Sequence, residues 1–108
     1  MSGERELRVY SREEIQEALK DLPEWGFGEN YLFREYRTKS WRETVFVFNT
    51  LAGLAEVHWH HPEVEVGYKR LLIKLTTHEA GGVTHRDVEL AREIEKVLSL
   101  LAKRWYNT

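Results

Sequence analysis

Cysteine is absent from this 108-residue sequence, and methionine occurs only once. Without cysteine the chain can form no disulfide, use no thiolate nucleophile and bind no zinc through sulfur. No run of about 18 apolar residues occurs, so the sequence predicts no transmembrane helix. The N-terminal residues 1–6 also lack the apolar segment of a secretory signal peptide. These absences together predict a cytoplasmic protein.

The sequence also has little net charge, because 16 basic and 18 acidic residues leave a formal charge of -2. Lysine and arginine form no cluster along the chain, so the sequence argues against direct binding of nucleic acid. The hydrophobic fraction of 42% and the charged fraction of 31% are typical of a globular protein. A chain of 108 residues has the length of one domain, and we expect residues 1–108 to form a single one.

Three segments carry a serine or threonine followed three residues later by an acidic residue. They are residues 11–14, 40–43 and 84–87. This spacing is typical of a capping box, in which two side chains satisfy free backbone amides of the first helical turn. The sequence therefore predicts three helices. Each prediction is supported by apolar residues at helical spacing, which are Ile15, Ala18, Leu19 and Leu22 in the first helix and Val88, Ala91, Ile94, Leu98, Leu101 and Trp105 in the last.

The central helix is predicted to begin at Trp41 and to end near Val57 or His58, a length of about 17 residues. Its apolar side chains cover more than one stripe. Phe46, Leu51, Leu54 and Val57 add to the apolar residues at helical spacing, which are Trp41, Val45, Phe48, Ala52 and Ala55. Such a broad surface suggests burial on two sides, against a sheet and against a second subunit. The alternative is a helix at the centre of a small core.

Four shorter segments have the composition or the alternation of strands. They are residues 24–27, 31–37, 63–68 and 71–77. A turn over residues 28–30 would join the first two, and a turn at Lys69–Arg70 would join the last two. Two hairpins predict an antiparallel sheet. The expected fold is therefore α+β, a four-stranded antiparallel sheet with three helices packed on one face in the order α-β-β-α-β-β-α.

The chemistry is concentrated in residues 56–62, which contain three histidines, a glutamate and a proline. The adjacent pair His60 and His61 cannot point the same way from a regular helix or strand, so one of them must face a cavity, solvent or a ligand. Glu56 precedes His60 by four residues, a spacing that brings their side chains together if the helix continues. A carboxylate there would stabilise the protonated imidazole. The alternative is a solvated helix terminus.

With the residues that follow it, this segment resembles the pterin-4a-carbinolamine dehydratases. The resemblance covers nearly the whole chain, and it also places Trp25 where the family has a tryptophan in its first strand. Trp59 and Val64 depart from the family pattern, which often has Asp or Asn before the histidine pair and an aromatic residue after Pro-Glu. The matching positions are Glu56, His60, His61, Pro62, Tyr68, His78 and Asp87.

The resemblance implies dehydration of a 4a-hydroxytetrahydropterin to the quinonoid dihydropterin, without a metal or an organic cofactor. The residues can support this reaction, which needs one group to protonate the departing hydroxyl and another to accept a proton from N5. We predict His60 and His78 as this acid and base pair. His61 would orient the substrate or share the proton transfer, and Glu56 would bias the charge state of the cluster.

The resemblance also implies residues that contact the pterin. Thr76 and Thr77 would offer backbone groups to the ring, and Trp25 would form a wall of the pocket. Asp87 has two possible functions, as the capping partner of Thr84 or as the carboxylate that holds an active-site histidine, and one side chain could serve both. The family is typically tetrameric, so the resemblance implies a homodimer or homotetramer.

Two other functions remain open from the sequence. One is a zinc site, because His58, His60 and His61 with His78 or His85 supply enough nitrogen ligands. Adjacent histidines bind one ion awkwardly, however, and the H-E-x-x-H spacing is missing. The other is a binding module, because animal members of the resembled family also act as dimerisation partners of a homeodomain transcription factor through the broad apolar helix.

Overall fold

The computed structural model describes residues 7–106 and the side chains of residues 7–104. The elements, in chain order, are α1 (Arg12–Leu19), β1 (Gly26–Gly28), β2 (Tyr31–Arg37), α2 (Trp41–His58), β3 (Glu63–Gly67), β4 (Arg70–Leu75) and α3 (His85–Tyr106). The predicted order and the α+β class are confirmed. The prediction drawn from residues 1–6 and the predicted apolar contact of Trp105 lie outside the described residues and side chains.

The first and last helices begin with the hydrogen bonds that their sequences predict. At α1 the Ser11 hydroxyl accepts from the amide of Glu14 at 3.1 Å, and the Glu14 carboxylate accepts from the amide of Ser11 at 2.7 Å. At α3 the Thr84 hydroxyl accepts from the amide of Arg86 at 3.2 Å, and the Asp87 carboxylate accepts from the amide of Thr84 at 2.8 Å. Local sequence therefore sets both helix starts.

The start of α2 forms only half of its predicted capping box. The Ser40 hydroxyl accepts from the amide of Glu43 at 3.1 Å, as expected. The Glu43 carboxylate accepts from the amide of Lys39 at 2.7 Å, one residue before the cap. Glu43 is only 1% exposed, so burial of its side chain beneath the helix start directs the carboxylate to this earlier amide.

The four strands form one antiparallel sheet in the order β1-β2-β4-β3, which makes β3 an edge strand. Alternate residues of β4 point to opposite faces, and Leu71, Ile73 and Leu75 are fully buried in the core shared with the helices. Lys74 has the opposite parity and lies on the open face. The register pairs Ile73 with Val64, so β3 contributes the same parity to the core.

The boundaries of the first hairpin differ from the prediction. The strand predicted from Glu24 begins instead at Gly26, and Trp25 lies just before it. The amide of Trp25 donates to the carbonyl of Leu22 at 3.0 Å, so this residue still belongs to the turn that follows α1. Gly28 pairs with Tyr31, which shortens the predicted turn to two residues.

The second hairpin is displaced slightly from its predicted position. Arg70, predicted in the turn, is the first residue of β4 and pairs with Gly67. The strand ends at Leu75 instead of Thr77, because the amide of Thr77 donates to the carbonyl of Gly82 at 3.0 Å and closes a tight loop. This loop ends the ladder and exposes the next residue of the chain, His78.

The central helix is buried on one side and exposed on the other. Val47 and Leu51 are at most 1% exposed. On the outer side Trp41, Phe46 and Val57 are 51%, 47% and 80% exposed. The alternative that α2 lies enclosed in a small core is therefore wrong for this chain alone, and the second subunit remains a prediction. Between residues 7 and 106, no helix is both long and apolar enough to cross a membrane.

Candidate active site

The histidine segment begins where α2 ends in a left-handed residue. Trp59 has φ 52° and ψ 43°. The amide of Trp59 donates to the carbonyl of Glu56 at 3.2 Å, and the amide of His60 donates to the carbonyl of Ala55 at 3.1 Å. This is a Schellman motif, which usually has glycine at the left-handed position because a side chain there costs about 1 kcal/mol or more. The turn reverses the chain, so the two following histidines leave the helix in different directions.

His60 turns into the protein and is only 8% exposed. Its Nε2 lies 2.6 Å from Oδ1 of Asp87, which is fully buried. The second oxygen of this carboxylate accepts from the Thr77 hydroxyl at 2.7 Å and from the amide of Thr84 at 2.8 Å. Asp87 therefore serves both functions left open by the sequence, because it caps α3 and holds His60. Only Nδ1 of the His60 ring is left for a substrate.

His61 takes the partner that the sequence assigned to His60. Nε2 of His61 lies 2.6 Å from Oε2 of Glu56, so the predicted pairing of Glu56 with His60 is wrong. The physical reason is the left-handed turn at Trp59, which ends helical geometry before the i, i+4 position is reached. The two paired side chains are 52% and 65% exposed, so solvent screens this contact far more than the buried one to Asp87.

Two adjoining clefts share His61, Thr76 and His78. One of about 270 Å³ is completed by Trp59, His60, Glu79 and Arg86. The other, of about 170 Å³, lies on the open face of the sheet and is completed by Tyr31, Glu63 and Lys74. The three histidines predicted from the sequence therefore line one cleft, which we call the histidine cleft, at the shared end of α2 and β4. His78 is exposed there because β4 has already ended.

The two threonines before His78 occupy different environments. Thr76 lines both clefts, and its hydroxyl donates to the carbonyl of Asn30 at 2.7 Å. Thr77 is fully buried, its hydroxyl donates to Asp87, and its amide is already bonded to the carbonyl of Gly82. The geometry thus leaves Thr76 open to a ligand and favours an indirect contribution of Thr77, through Asp87 and His60.

Trp25 is not brought to the histidine cleft. It is only 5% exposed, and its indole nitrogen donates to Oε1 of Glu95 at 2.8 Å. Arg34 donates to both oxygens of the same carboxylate, each at 3.0 Å. Trp25 lines neither of the two clefts described above. Its place in the core is therefore explained by packing and by Glu95, and a function as a pocket wall remains a prediction.

Arg86 and Glu79 line the histidine cleft although sequence reasoning did not select them. Arg86 donates to the carbonyl of Trp59 at 2.8 Å and to the carboxylate of Glu79 at 3.3 Å. The pKa of Glu79 lies below its usual value because its own backbone amide donates to it, and the positive charges of Arg86 and His60 act in the same direction against partial burial. Their positions beside His78 and Asp87 were the signal available in the sequence.

The two remaining histidines stay apart from the cleft. His58 is exposed at the last position of α2. His85 begins α3, and its Nδ1 lies 3.5 Å from Oε2 of Glu89, a separation too long for a normal hydrogen bond. In the part of the chain that the structure describes, no three His, Asp or Glu side chains are grouped as they would be to hold a metal ion. The alternative of a histidine metal site therefore has no geometric support among these residues.

Comparison with known proteins identifies relatives over most of the chain. The family model described as pterin 4 alpha carbinolamine dehydratase matches residues 8–97. A protein of Aquifex aeolicus with the provisional name pterin-4-alpha-carbinolamine dehydratase is 45% identical over 97 residues, which cover 90% of this chain and 98% of that protein. A protein of Thermomicrobium roseum with the same provisional name is 41% identical and covers 79% of this chain and 91% of its own length.

A solved structure has a fold similar to that of this chain. The crystal structure of a transcriptional coactivator/pterin dehydratase from Brucella melitensis matches with a TM-score of 0.78 and 29% sequence identity. The match covers 83% of this chain and 98% of the Brucella chain. The arrangement of sheet and helices that positions the histidine cleft is therefore shared with that protein.

Proposed function

This chain belongs to the pterin 4 alpha carbinolamine dehydratase family, and from that premise we propose that it dehydrates a 4a-hydroxytetrahydropterin to the quinonoid dihydropterin. Such a hydro-lyase would support the recycling of a tetrahydropterin such as tetrahydrobiopterin. The observation that carries the proposal is the meeting of His60, His61 and His78 in one cleft. Imidazole is the side chain best suited to move protons near neutral pH.

The proposed reaction is an elimination of water. The bond between C4a and its hydroxyl oxygen breaks as the hydroxyl takes up one proton and leaves as water. The proton on N5 passes to a base, and the electron pair of the N5–H bond forms the new double bond between N5 and C4a. The reaction needs one acid, one base and a site that holds the ring still between them.

We assign the acid to His60 and the base to His78. The buried carboxylate of Asp87 holds Nε2 of His60 and so fixes the orientation of the ring, which suits a group that must deliver a proton to one position. His78 is exposed at the end of β4, where its ring can reach a bound substrate. His61, paired with Glu56 outside the core, would orient the substrate or share the proton transfer.

Substrate contacts are proposed at the junction of the two clefts. Thr76 lines both of them, which supports its predicted contact with the pterin ring. Thr77 would act by holding Asp87, since its hydroxyl donates to that carboxylate. Glu56 would set the orientation of His61. A direct contact of Trp25 with the pterin is not part of this proposal, because its indole is bonded to Glu95 in the core.

The decisive experiment is the dehydration of a synthetic 4a-carbinolamine by the purified protein in the presence of EDTA. We expect acceleration over the spontaneous reaction that is unchanged by the chelator, because imidazole transfers protons without an ion. A rate that disappears with EDTA and returns with zinc would contradict acid-base catalysis by the histidines and support the metal alternative. No acceleration under either condition would contradict the proposed enzyme function.

We also propose that the protein forms a homodimer or homotetramer through the outer side of α2 and the edge strand β3. Trp41, Phe46 and Val57 are exposed on that side of α2, and β3 leaves backbone groups unpaired at the sheet edge. Burying such an apolar surface favours association, and closed symmetry is the usual result. The composition without cysteine supports a cytoplasmic location.

Light scattering at micromolar concentration tests the assembly. A mass of two or four times the 12.9 kDa chain is expected, whereas a mass near 12.9 kDa would contradict self-assembly. The same exposed helix surface could bind a different protein, and the matched Brucella protein is described as a transcriptional coactivator as well as a pterin dehydratase. A monomer in solution would favour this second function for the surface.

A further inference from the structure

We propose that Trp59 is a substrate-positioning residue that stacks its indole on the fused ring of the pterin and sets affinity without taking part in proton transfer. The proposal rests on the proposed function. It concerns one of the two positions at which the chain departs from the family pattern, and it follows from the backbone, exposure and neighbours of this one residue.

The first observation is that the position is unfavourable for tryptophan. Trp59 occupies the left-handed position that ends α2, where glycine and asparagine are the usual residues. Its side chain is also 69% exposed, so burial in the core of this chain does not compensate for the backbone conformation. A bulky residue held in this region with little burial of its own is an indication of a function at the site.

The second observation is the direction of the indole. Trp59 lines the histidine cleft, and its ring meets the His61 ring edge to face, with centroids 5.3 Å apart and planes at 77°. Arg86 donates to the Trp59 carbonyl at 2.8 Å and also to Glu79 beside His78. Arg86 thus fixes the backbone of the left-handed turn, from which the exposed Trp59 side chain lines the histidine cleft.

The chemistry of the substrate matches such a surface. Apart from its tetrahedral C4a the pyrimidine ring of the carbinolamine is nearly flat, and an oxidised pterin is flat throughout. Flat heterocycles stack on aromatic side chains whatever their exact hydrogen-bonding edge. The histidines supply proton transfer and Thr76 polar contact, but the other residues lining the histidine cleft include no large apolar ring. Trp59 would supply this missing stacking surface.

The test measures binding of a fully oxidised pterin, which cannot react, together with kcat and KM for the carbinolamine. Trp59→Asn is the informative variant, because asparagine tolerates the left-handed backbone. We expect its Kd and KM to rise about 10-fold, with kcat within about threefold of the parent. Trp59→Phe keeps an aromatic face and should lose much less affinity. Leu100→Asn, at an apolar position of α3 that is 66% exposed and lines neither cleft, is the control and should leave both constants unchanged.

Fluorescence gives an independent readout. Binding of the pterin should quench the emission of Trp59, so quenching should largely disappear in Trp59→Phe and persist in Trp41→Phe. Unchanged affinity in Trp59→Asn would overturn the inference. A fall in kcat with unchanged Kd would also overturn it, because Trp59 would then act by supporting His61. A changed mass in light scattering would overturn it too, because Trp59 would then be an assembly contact. A parent protein that binds and turns over no pterin would refute the proposed function itself.

Discussion

Two carboxylates of α3, Asp87 and Glu95, form similar hydrogen-bond networks in two regions of the molecule. Asp87 is fully buried and holds His60, Thr77 and the start of its own helix. Glu95 lies eight residues further along α3, and it receives hydrogen bonds from Trp25 and from Nε and Nη2 of Arg34. Each network ties the last helix to a distant part of the chain.

The two networks differ in whether the residues that contact the carboxylate also line a cleft. His60 lines the histidine cleft, so the network of Asp87 extends from the core to a surface that a ligand can reach. Trp25 and Arg34 line neither of the two clefts that contain His78, so the network of Glu95 serves the packing of α3 on the sheet. The number of hydrogen bonds therefore does not distinguish the two networks, whereas a partner that also lines a cleft does.

The largest effect is expected from His60 itself. His60→Ala should lower kcat by about 10²-fold or more, because it removes the proposed acid, and His78→Ala should do the same by removing the base. His58→Ala is the matched control, an exposed histidine at the end of α2 that lines neither of the two clefts that contain His78. Steady-state kinetics measures all three variants. Equal damage in His58→Ala would mean that the catalytic residues have been wrongly placed.

Replacing Asp87 and Glu95 by their amides tests directly whether one network is functional and the other structural. Asp87→Asn should lower kcat by about 10- to 100-fold, because the amide no longer holds the His60 ring in the same way. Glu95→Gln should leave kcat and KM unchanged at a temperature where both variants are folded. Circular dichroism establishes folding before kinetics. If the two variants lose similar activity, the networks do not divide into a functional and a structural one.

Loss of the Glu95 carboxylate should lower the stability of the protein and not its activity. Burial acts to raise the pKa of Glu95, but hydrogen bonds from Arg34 and Trp25 outweigh it and hold this pKa below its ordinary value of 4.5. The stability that the ionised carboxylate contributes is therefore present above about pH 4.5 and is lost as pH falls through the folded pKa. Glu95→Gln should cost about 1–3 kcal/mol of unfolding free energy at pH 7.

Urea unfolding at pH 7 and below pH 4 measures this effect. The difference between the parent and Glu95→Gln should narrow as the pH falls through the folded pKa of Glu95, because protonation then leaves this side chain uncharged, as glutamine is. Glu24→Gln, at an exposed position before β1, serves as the control and should change stability little at either pH. A constant difference across this range would show that the charge of Glu95 contributes nothing to stability.

The smallest effect is expected at the exposed pair of Glu56 and His61. Their side chains are 65% and 52% exposed, and exposed pairs of this kind contribute about 1 kcal/mol or less. Glu56→Gln should therefore lower kcat/KM by about two- to fivefold, with little change in stability. Steady-state kinetics measures the effect of Glu56→Gln. A loss of activity as large as that of Asp87→Asn would mean that His61, not His60, is the main proton donor.

The sequence by itself determined the features that depend on neighbouring residues. Side-chain capping at Ser11 and at Thr84 needs only residues within one helical turn, so both helix starts could be read from spacing. Alternation of apolar side chains likewise identified the core face of β4, because successive residues of a strand point in opposite directions. Strand ends were less accurate, since pairing across the sheet decides where a strand stops.

Only the tertiary structure decided which carboxylate each histidine of the candidate site contacts. Spacing assigned Glu56 to His60, whereas the left-handed turn at Trp59 gives Glu56 to His61 and leaves His60 to Asp87, which lies 27 residues further along the chain. No local pattern reports such a turn at a tryptophan, because the conformation is normally taken by glycine. Contacts between distant residues form only when the helices pack, so the partner of each histidine could be learned only from the folded chain.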